Sequence, residues 1–296
     1  MTKSRRVAFI VLLATVTIFS STLFVPSTRV SHALRIQFGD DSYYALLEEP
    51  LREDVNERVP LIVVLHGYGG TISSIRSRSE LSFLTLGGFG VLYVQARPDD
   101  TGQTHWNASM TLTARDDRAA LVGIVQMAQA RYHFDPQRSF VVGYSNGGFM
   151  AYSLACHNPG VFAAVASVNG TMSGADWVNC PARGSVPLFH SMGGADDVVP
   201  GDGTMNVADG WGGAPAALKV VESWAADSGA RTRIEKMLDD RVSEATWFTQ
   251  RGQMAAKLVT FQDLGHDWPD KRFFGVELAN EIEQFFLRVM REHPAP

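Results

Sequence analysis

From residue 34 onward the apolar positions follow two rhythms. Unbroken apolar runs at Pro60–Leu65, Gly90–Gln95, Arg138–Val142, Phe162–Val168 and Val186–His190 read as strands buried on both faces. Between them, residues 113–132 place Leu121, Ile124, Val125 and Ala128 at helical spacing, and 146–157 and 216–227 read as further helices. Arg35–Phe38 and Tyr43–Leu47 flank Gly39-Asp40-Asp41 as an opening hairpin. Ala245–Thr249 and Lys257–Phe261 form a late strand pair, and Val276–Arg291 a closing helix. Strands alternating with helices predict an α/β fold, a mostly parallel sheet covered on both faces, with short insertions and a minimal lid. No repeat or low-complexity linker divides it, so residues 34–296 are expected to be a single domain.

The first 33 residues have a different pattern. Lys3, Arg5 and Arg6 precede 19 uncharged residues from Val7 to Val25, and Ser31 and Ala33 lie at −3 and −1 of a cut after Ala33. This is the layout of a secretory signal peptide; the alternative is an uncleaved membrane anchor. The protein is therefore expected to be secreted, or periplasmic or anchored, and to meet a membrane only through this segment.

Composition narrows the classes further. With 45% hydrophobic and 19% charged residues the chain is ordinary globular material, neither disordered nor collagen-like. The net charge is −5; without the four basic residues of 1–33, 22 basic face 31 acidic groups, a charge of −9. With no basic block after residue 40, nucleic acid is not an expected partner. Cys156 and Cys180 are too few for a disulfide scaffold. In an oxidising compartment they either bridge, closing a loop worth about 3.5 kcal/mol by chain entropy, or remain two buried thiols.

The chemistry begins at Gly143-Tyr144-Ser145-Asn146-Gly147, a G-x-S-x-G between a strand and a helix. The bare pattern is weak; its position is what raises it. A strand turning sharply into a helix exposes the Ser145 hydroxyl at a helix N-terminus, where the Asn146 amide points at a developing oxyanion. His66-Gly67-Tyr68-Gly69-Gly70 follows the first long strand, where this kind of fold draws its second oxyanion amide. Tyr68 is the first choice and Gly69 its rival; His66 reads as structural.

A serine needs a base, and an imidazole needs an acid to fix its tautomer. Of the downstream histidines, His157 lies within a helix, His190 ends a strand and His293 sits in the tail. His266, on a turn after the last strand, is the expected base. Asp196 and Asp197 compete for the acid. Trp106, Trp211 and Trp268 are candidates to line a binding cleft, and Asn107 and Asn169 open glycosylation sequons. No P-loop, no G-x-G-x-x-G and no H-E-x-x-H occurs, so no metal or other cofactor is expected.

The stretches LIVVLHGYGG, FDPQRSFVVGYSNGGFMAYSLAC, FAAVASVNG, GGADDVVP, VVESWA and GHDWP, spanning about residues 60–290, resemble the secreted polyhydroxybutyrate depolymerase and feruloyl esterase family of α/β-hydrolases. The resemblance implies an α/β-hydrolase fold with Ser145 as nucleophile, Asp196 as acid, His266 as base and no cofactor. It also matches Cys156 to the family's cysteine after the elbow helix. Two departures stand out: Met192 where the family has a second histidine in H-x-H-G-T-A-D, and Asp270 where glycine often follows G-H-x-W-P. The substrates implied are esters, small-molecule or borne on polysaccharide or polyester. No surface-binding module follows residue 291, which favours feruloyl, acetyl or short hydroxyalkanoate esters over solid polymer. A polymer depolymerase, an envelope acyltransferase with the same three residues and a non-catalytic binding protein are the alternatives.

Overall fold

The computed structural model describes residues 29–38, 41–50, 52, 57–110, 115–205 and 213–294. Trp211 and the apolar run Val7–Val25 fall outside them. Ten strands form one sheet: β1 (Arg29–Phe38), β2 (Asp41–Pro50), β3 (Val59–Leu65), β4 (Gly90–Gln95), β5 (Phe134–Tyr144), β6 (Ala164–Val168), β7 (Leu188–Gly193), β8 (Ala230–Asp239), β9 (Val242–Thr249) and β10 (Met254–Phe261). Their order is β1-β2-β4-β3-β5-β6-β7-β10-β9-β8. The six central strands, β4 to β10 in that order, run parallel, and an antiparallel pair flanks them on each side.

The helices are α1 (Ile72–Ser79), α2 (Asp117–Tyr132), α3 (Asn146–His157), α4 (Gly174–Val178), α5 (Ala217–Asp227), α6 (Lys271–Phe274) and α7 (Leu278–Glu292). Central strands bury both faces because their side chains alternate between two cores. On β3, Leu61, Val63 and Leu65 face the layer of α2, α3 and α5, whereas Ile62 and Val64 face that of α1 and α7. The apolar stripe of α7, Leu278, Ile282, Phe285, Phe286 and Val289, recurs at helical spacing and is buried throughout. Among the described residues no helix is long and apolar enough to cross a membrane.

The hydrophobic pattern located every central strand and the long helices. It missed β8 and α1, for opposite physical reasons. Strand β8 is a sheet edge exposed along most of its length, so nothing in it needs to be apolar. Helix α1 has just two apolar residues, Ile75 buried and Ile72 half-buried against the same core; Thr71 starts it by a capping box with Ser74. The opening hairpin is longer than its pattern implied. All ten residues of β1 pair with β2, from Arg29↔Pro50 to Phe38↔Asp41, and His32 Nε2 lies 2.7 Å from Glu49. Arg29–Ala33, read above as the end of the leader, thus belong to a paired strand; the small-polar alternation of a cleavage site is also that of an edge strand.

Candidate active site

The turn from β5 into α3 has almost no room. A Cβ on Gly143 would lie 1.9 Å from the Gly147 carbonyl oxygen, and one on Gly147 would lie 2.4 Å from that of Leu65. Only glycine fits at either position. Between them Ser145 takes φ 53° and ψ −120°, a left-handed conformation that costs a non-glycine residue on the order of 1–3 kcal/mol. Its amide donates to the Val168 carbonyl at 2.8 Å and its carbonyl accepts from Gly148 at 2.7 Å, which fixes the strained residue from both sides. The Asn146 amide is the first N–H of α3 and so falls outside the helix ladder.

Three chain segments converge on Ser145. His266 Nε2 lies 2.8 Å from Ser145 Oγ, and His266 Nδ1 lies 2.8 Å from Asp196 Oδ2. The other Asp196 oxygen accepts the amides of Val198 at 2.9 Å and Val199 at 2.8 Å. A carboxylate only accepts, so Nδ1 carries the hydrogen and Nε2 turns its lone pair to the serine hydroxyl, which donates. Ser145 and Asp196 are both buried, and Asp197 is exposed. Of the two aspartates it is therefore Asp196 that meets the imidazole. The other histidines lie elsewhere: His157 pairs with Asp176 at 2.8 Å, His190 with the Tyr152 hydroxyl at 2.8 Å, and His293 caps α7.

The loop after β3 lies against this turn. A Cβ on Gly67 would sit 3.1 Å from Ser145 Cβ. The Gly69 amide donates to the Thr104 carbonyl at 2.7 Å, which commits that rival elsewhere. Tyr68 exposes its ring and stacks it on the buried His105, with centroids 5.6 Å apart. His66 is structural: its Nδ1 donates to the Gly67 carbonyl at 2.7 Å, while Nε2 accepts from the Ala96 amide and the Gln95 carboxamide, each at 3.0 Å. Burial pushes its pKa down to about 4, so it stays neutral.

Trp106 requires a correction. It is fully buried and lines no cleft. Its indole N–H donates to the His66 carbonyl at 2.9 Å, its amide donates to Asn146 Oδ1 at 2.7 Å, and Asn146 Nδ2 donates back to its carbonyl at 3.0 Å. Trp106 thus joins the loop after β3 to the elbow, a role its sequence position gives no sign of. Trp268 is mostly buried, with an edge on a cavity of about 480 Å³ that Arg78, Asp267 and Lys271 also line. A second cavity of about 250 Å³ lies over Gly67, Tyr68 and Tyr144, and Arg78 borders both. Arg78 pairs with the Asp267 carboxylate and lies 5.4 Å from the centre of the Tyr144 ring. Burial holds the Tyr144 phenol up at about 12, so it remains a hydroxyl donor.

The two departures from the family pattern have local explanations. Met192 lines a groove of about 510 Å³ with Leu218 and Leu258, whose other walls come from β8 and β9. Asp270 caps α6, accepting the Arg272 amide at 2.8 Å. Cys156 and Cys180 are bridged, joining the end of α3 to the chain beyond α4. Of the two sequon asparagines, Asn107 is half-buried and Asn169 is buried. The Asn107 carboxamide donates to the Arg115 carbonyl at 2.7 Å.

The family model for esterase PHB depolymerase matches residues 43–228, a span that includes Ser145 and Asp196 and ends before His266. The chain is 36% identical to feruloyl esterase B of Neurospora crassa over 113 residues, 37% of this chain and 38% of that one. It is 32% identical to an acetylxylan esterase of Coprinopsis cinerea over 135 residues, 44% of this chain and 36% of that one. The matches thus span less than half the length of these relatives. Among solved structures, acetyl xylan esterase from Aspergillus awamori superimposes with a TM-score of 0.62 at 17% identity, covering 87% of this chain and 99% of that one. That likeness is one of fold, the α/β-hydrolase fold.

Proposed function

The chain belongs to the esterase PHB depolymerase family, and on that premise we propose that it is an exported serine esterase with Ser145, His266 and Asp196 as its triad. The observation that carries this reading is the pair of 2.8 Å contacts joining Oγ, the imidazole and the carboxylate in order. In this reading Ser145 Oγ attacks the ester carbonyl carbon as its proton passes to His266 Nε2, and Asp196 stabilises the imidazolium. The amides of Asn146 and Tyr68 hold the oxyanion. As the tetrahedral intermediate collapses, His266 gives that proton to the departing alkoxide, leaving an acyl-serine. Water then loses a proton to Nε2 as it attacks the acyl carbon, and the second tetrahedral intermediate collapses as His266 returns that proton to Ser145 Oγ, which frees the acid and restores the hydroxyl. No step draws on a cofactor.

The substrates we assign are soluble esters, feruloyl or acetyl groups on polysaccharide or short hydroxyalkanoates. The named relatives, a feruloyl esterase and an acetylxylan esterase, support the first of these. The bridged cysteines and the basic start of the chain support export. Processing ahead of Arg29 would keep all ten β1–β2 pairs, whereas a cut after Ala33 would remove five.

The test incubates the enzyme with methyl ferulate, acetylated xylan and a 3-hydroxybutyrate trimer together, with the released acids quantified by mass spectrometry. Ferulate or acetate as the main product is expected, and Ser145→Ala should lower turnover on the order of 10⁶-fold. A Ser145→Ala protein at full rate sinks the mechanism. Hydroxybutyrate as the dominant product selects the short hydroxyalkanoates over the polysaccharide esters.

A further inference from the structure

His266 sits on a turn between β10 and α6, where neither a sheet nor a helix ladder fixes it. Within the turn the Asp267 amide donates to the Gly265 carbonyl at 2.8 Å, and side chains from neighbouring segments add to this backbone bond. The Asn169 carboxamide donates to the Gly265 carbonyl at 3.2 Å and to the Asp267 carbonyl at 2.7 Å. The Tyr144 hydroxyl donates to the carbonyl of His266 itself at 2.9 Å. All three consecutive carbonyls around the imidazole are therefore gripped by donors rooted beside the nucleophile.

Asn169 is well placed for this. It follows β6 directly, its amide donates to the Ser191 carbonyl at 2.8 Å, and it is 2% exposed. Its φ of +46° is one that asparagine and glycine tolerate and other residues resist. A carboxamide also supplies two N–H donors at a fixed angle, as two acceptors on either side of one residue require. An aspartate of the same shape would turn an acceptor toward two acceptors in a buried place.

We propose that Asn169 is a positioning residue for the base: it grips the carbonyls on both sides of His266 and so holds Nε2 at Ser145 while Nδ1 stays on Asp196. This rests on the triad reading given above. The reason for the expected size is that a displacement of about 1 Å in a reacting group can cost 10²-fold in rate.

The experiment compares wild type, Asn169→Gly and Asn169→Asp on p-nitrophenyl acetate from pH 5 to 9. Asn169→Gly keeps the backbone conformation and removes both donors; Asn169→Asp keeps the shape and removes them only while ionised. Both variants should lose about 10²-fold in kcat with KM within about threefold. The Asn169→Asp to wild-type ratio should climb as pH falls, because the protonated carboxyl regains one donor. Asn169→Gly within about threefold of wild-type kcat, or a flat Asn169→Asp ratio across pH, overturns the proposal. A fully active Ser145→Ala protein would undo the triad reading beneath it, and a dead one beside a full-rate Asn169→Gly protein undoes this proposal alone.

Discussion

Two aspartates stand side by side at 196 and 197, and the loop that holds them sends one inward and one out. Asp196 receives the imidazole on one oxygen and two amides on the other, while Asp197 faces water. Asp196→Asn should therefore lower kcat about 10⁴-fold by admitting the wrong imidazole tautomer, while Asp197→Asn stays within about twofold. Steady-state rates on one soluble ester decide it, and equal losses in both variants would contradict the assignment. At this scale the sequence was legible wherever geometry leaves a single residue type. Gly143 and Gly147 are such places, because the neighbouring carbonyls admit no Cβ, and they expose Ser145 to a reader of the sequence alone. Trp106 and Asn169 were not legible. A buried tryptophan and a cleft-lining one are the same letter, and an asparagine in a sequon does not announce that its carboxamide is already engaged by two carbonyls.

Among the elements, those that must be apolar were readable and those fixed by contacts between segments were not. Strands β3 and β4 and helix α3 fall within a residue of their expected limits, since both faces of each are buried. Strand β8 was hidden by its exposure, and α1 by its serines, its stability coming from a cap and from the ion pair of Arg76 with the fully buried Glu48. Helix α3 carries at its start the Asn146 amide, which we propose for the oxyanion, and a disulfide at its end. The bridge spans 24 residues, which the chain-entropy account values at about 3.5 kcal/mol. The Cys156→Ala/Cys180→Ala protein should lose about that much in a guanidinium titration, and an unchanged midpoint would mean the bridge adds nothing.

For the molecule as a whole, two buried histidines tie stability to pH. Burial lowers the pKa of both His66 and His190 from 6.5 to about 4. Between those values the unfolded chain binds protons that the folded chain refuses. Stability is thus full above pH 6.5 and falls as pH drops through the window toward 4. At pH 5 the loss is about 2 kcal/mol per histidine. Guanidinium midpoints at pH 7.5 and 5 measure it, and His190→Gln should flatten the slope; an undiminished slope in that variant would assign the effect elsewhere. The order of the sheet carries a last consequence. Asp196 and His266 are 70 residues apart, yet β7 and β10 are adjacent. In the interval the chain passes through α5 to the far edge at β8 and returns by way of β9, antiparallel to both its neighbours, to β10. In the proposed mechanism β8 and β9 contribute no group, so a longer or shorter turn between them should leave the β7–β10 register, and with it the Asp196–His266 contact, in place.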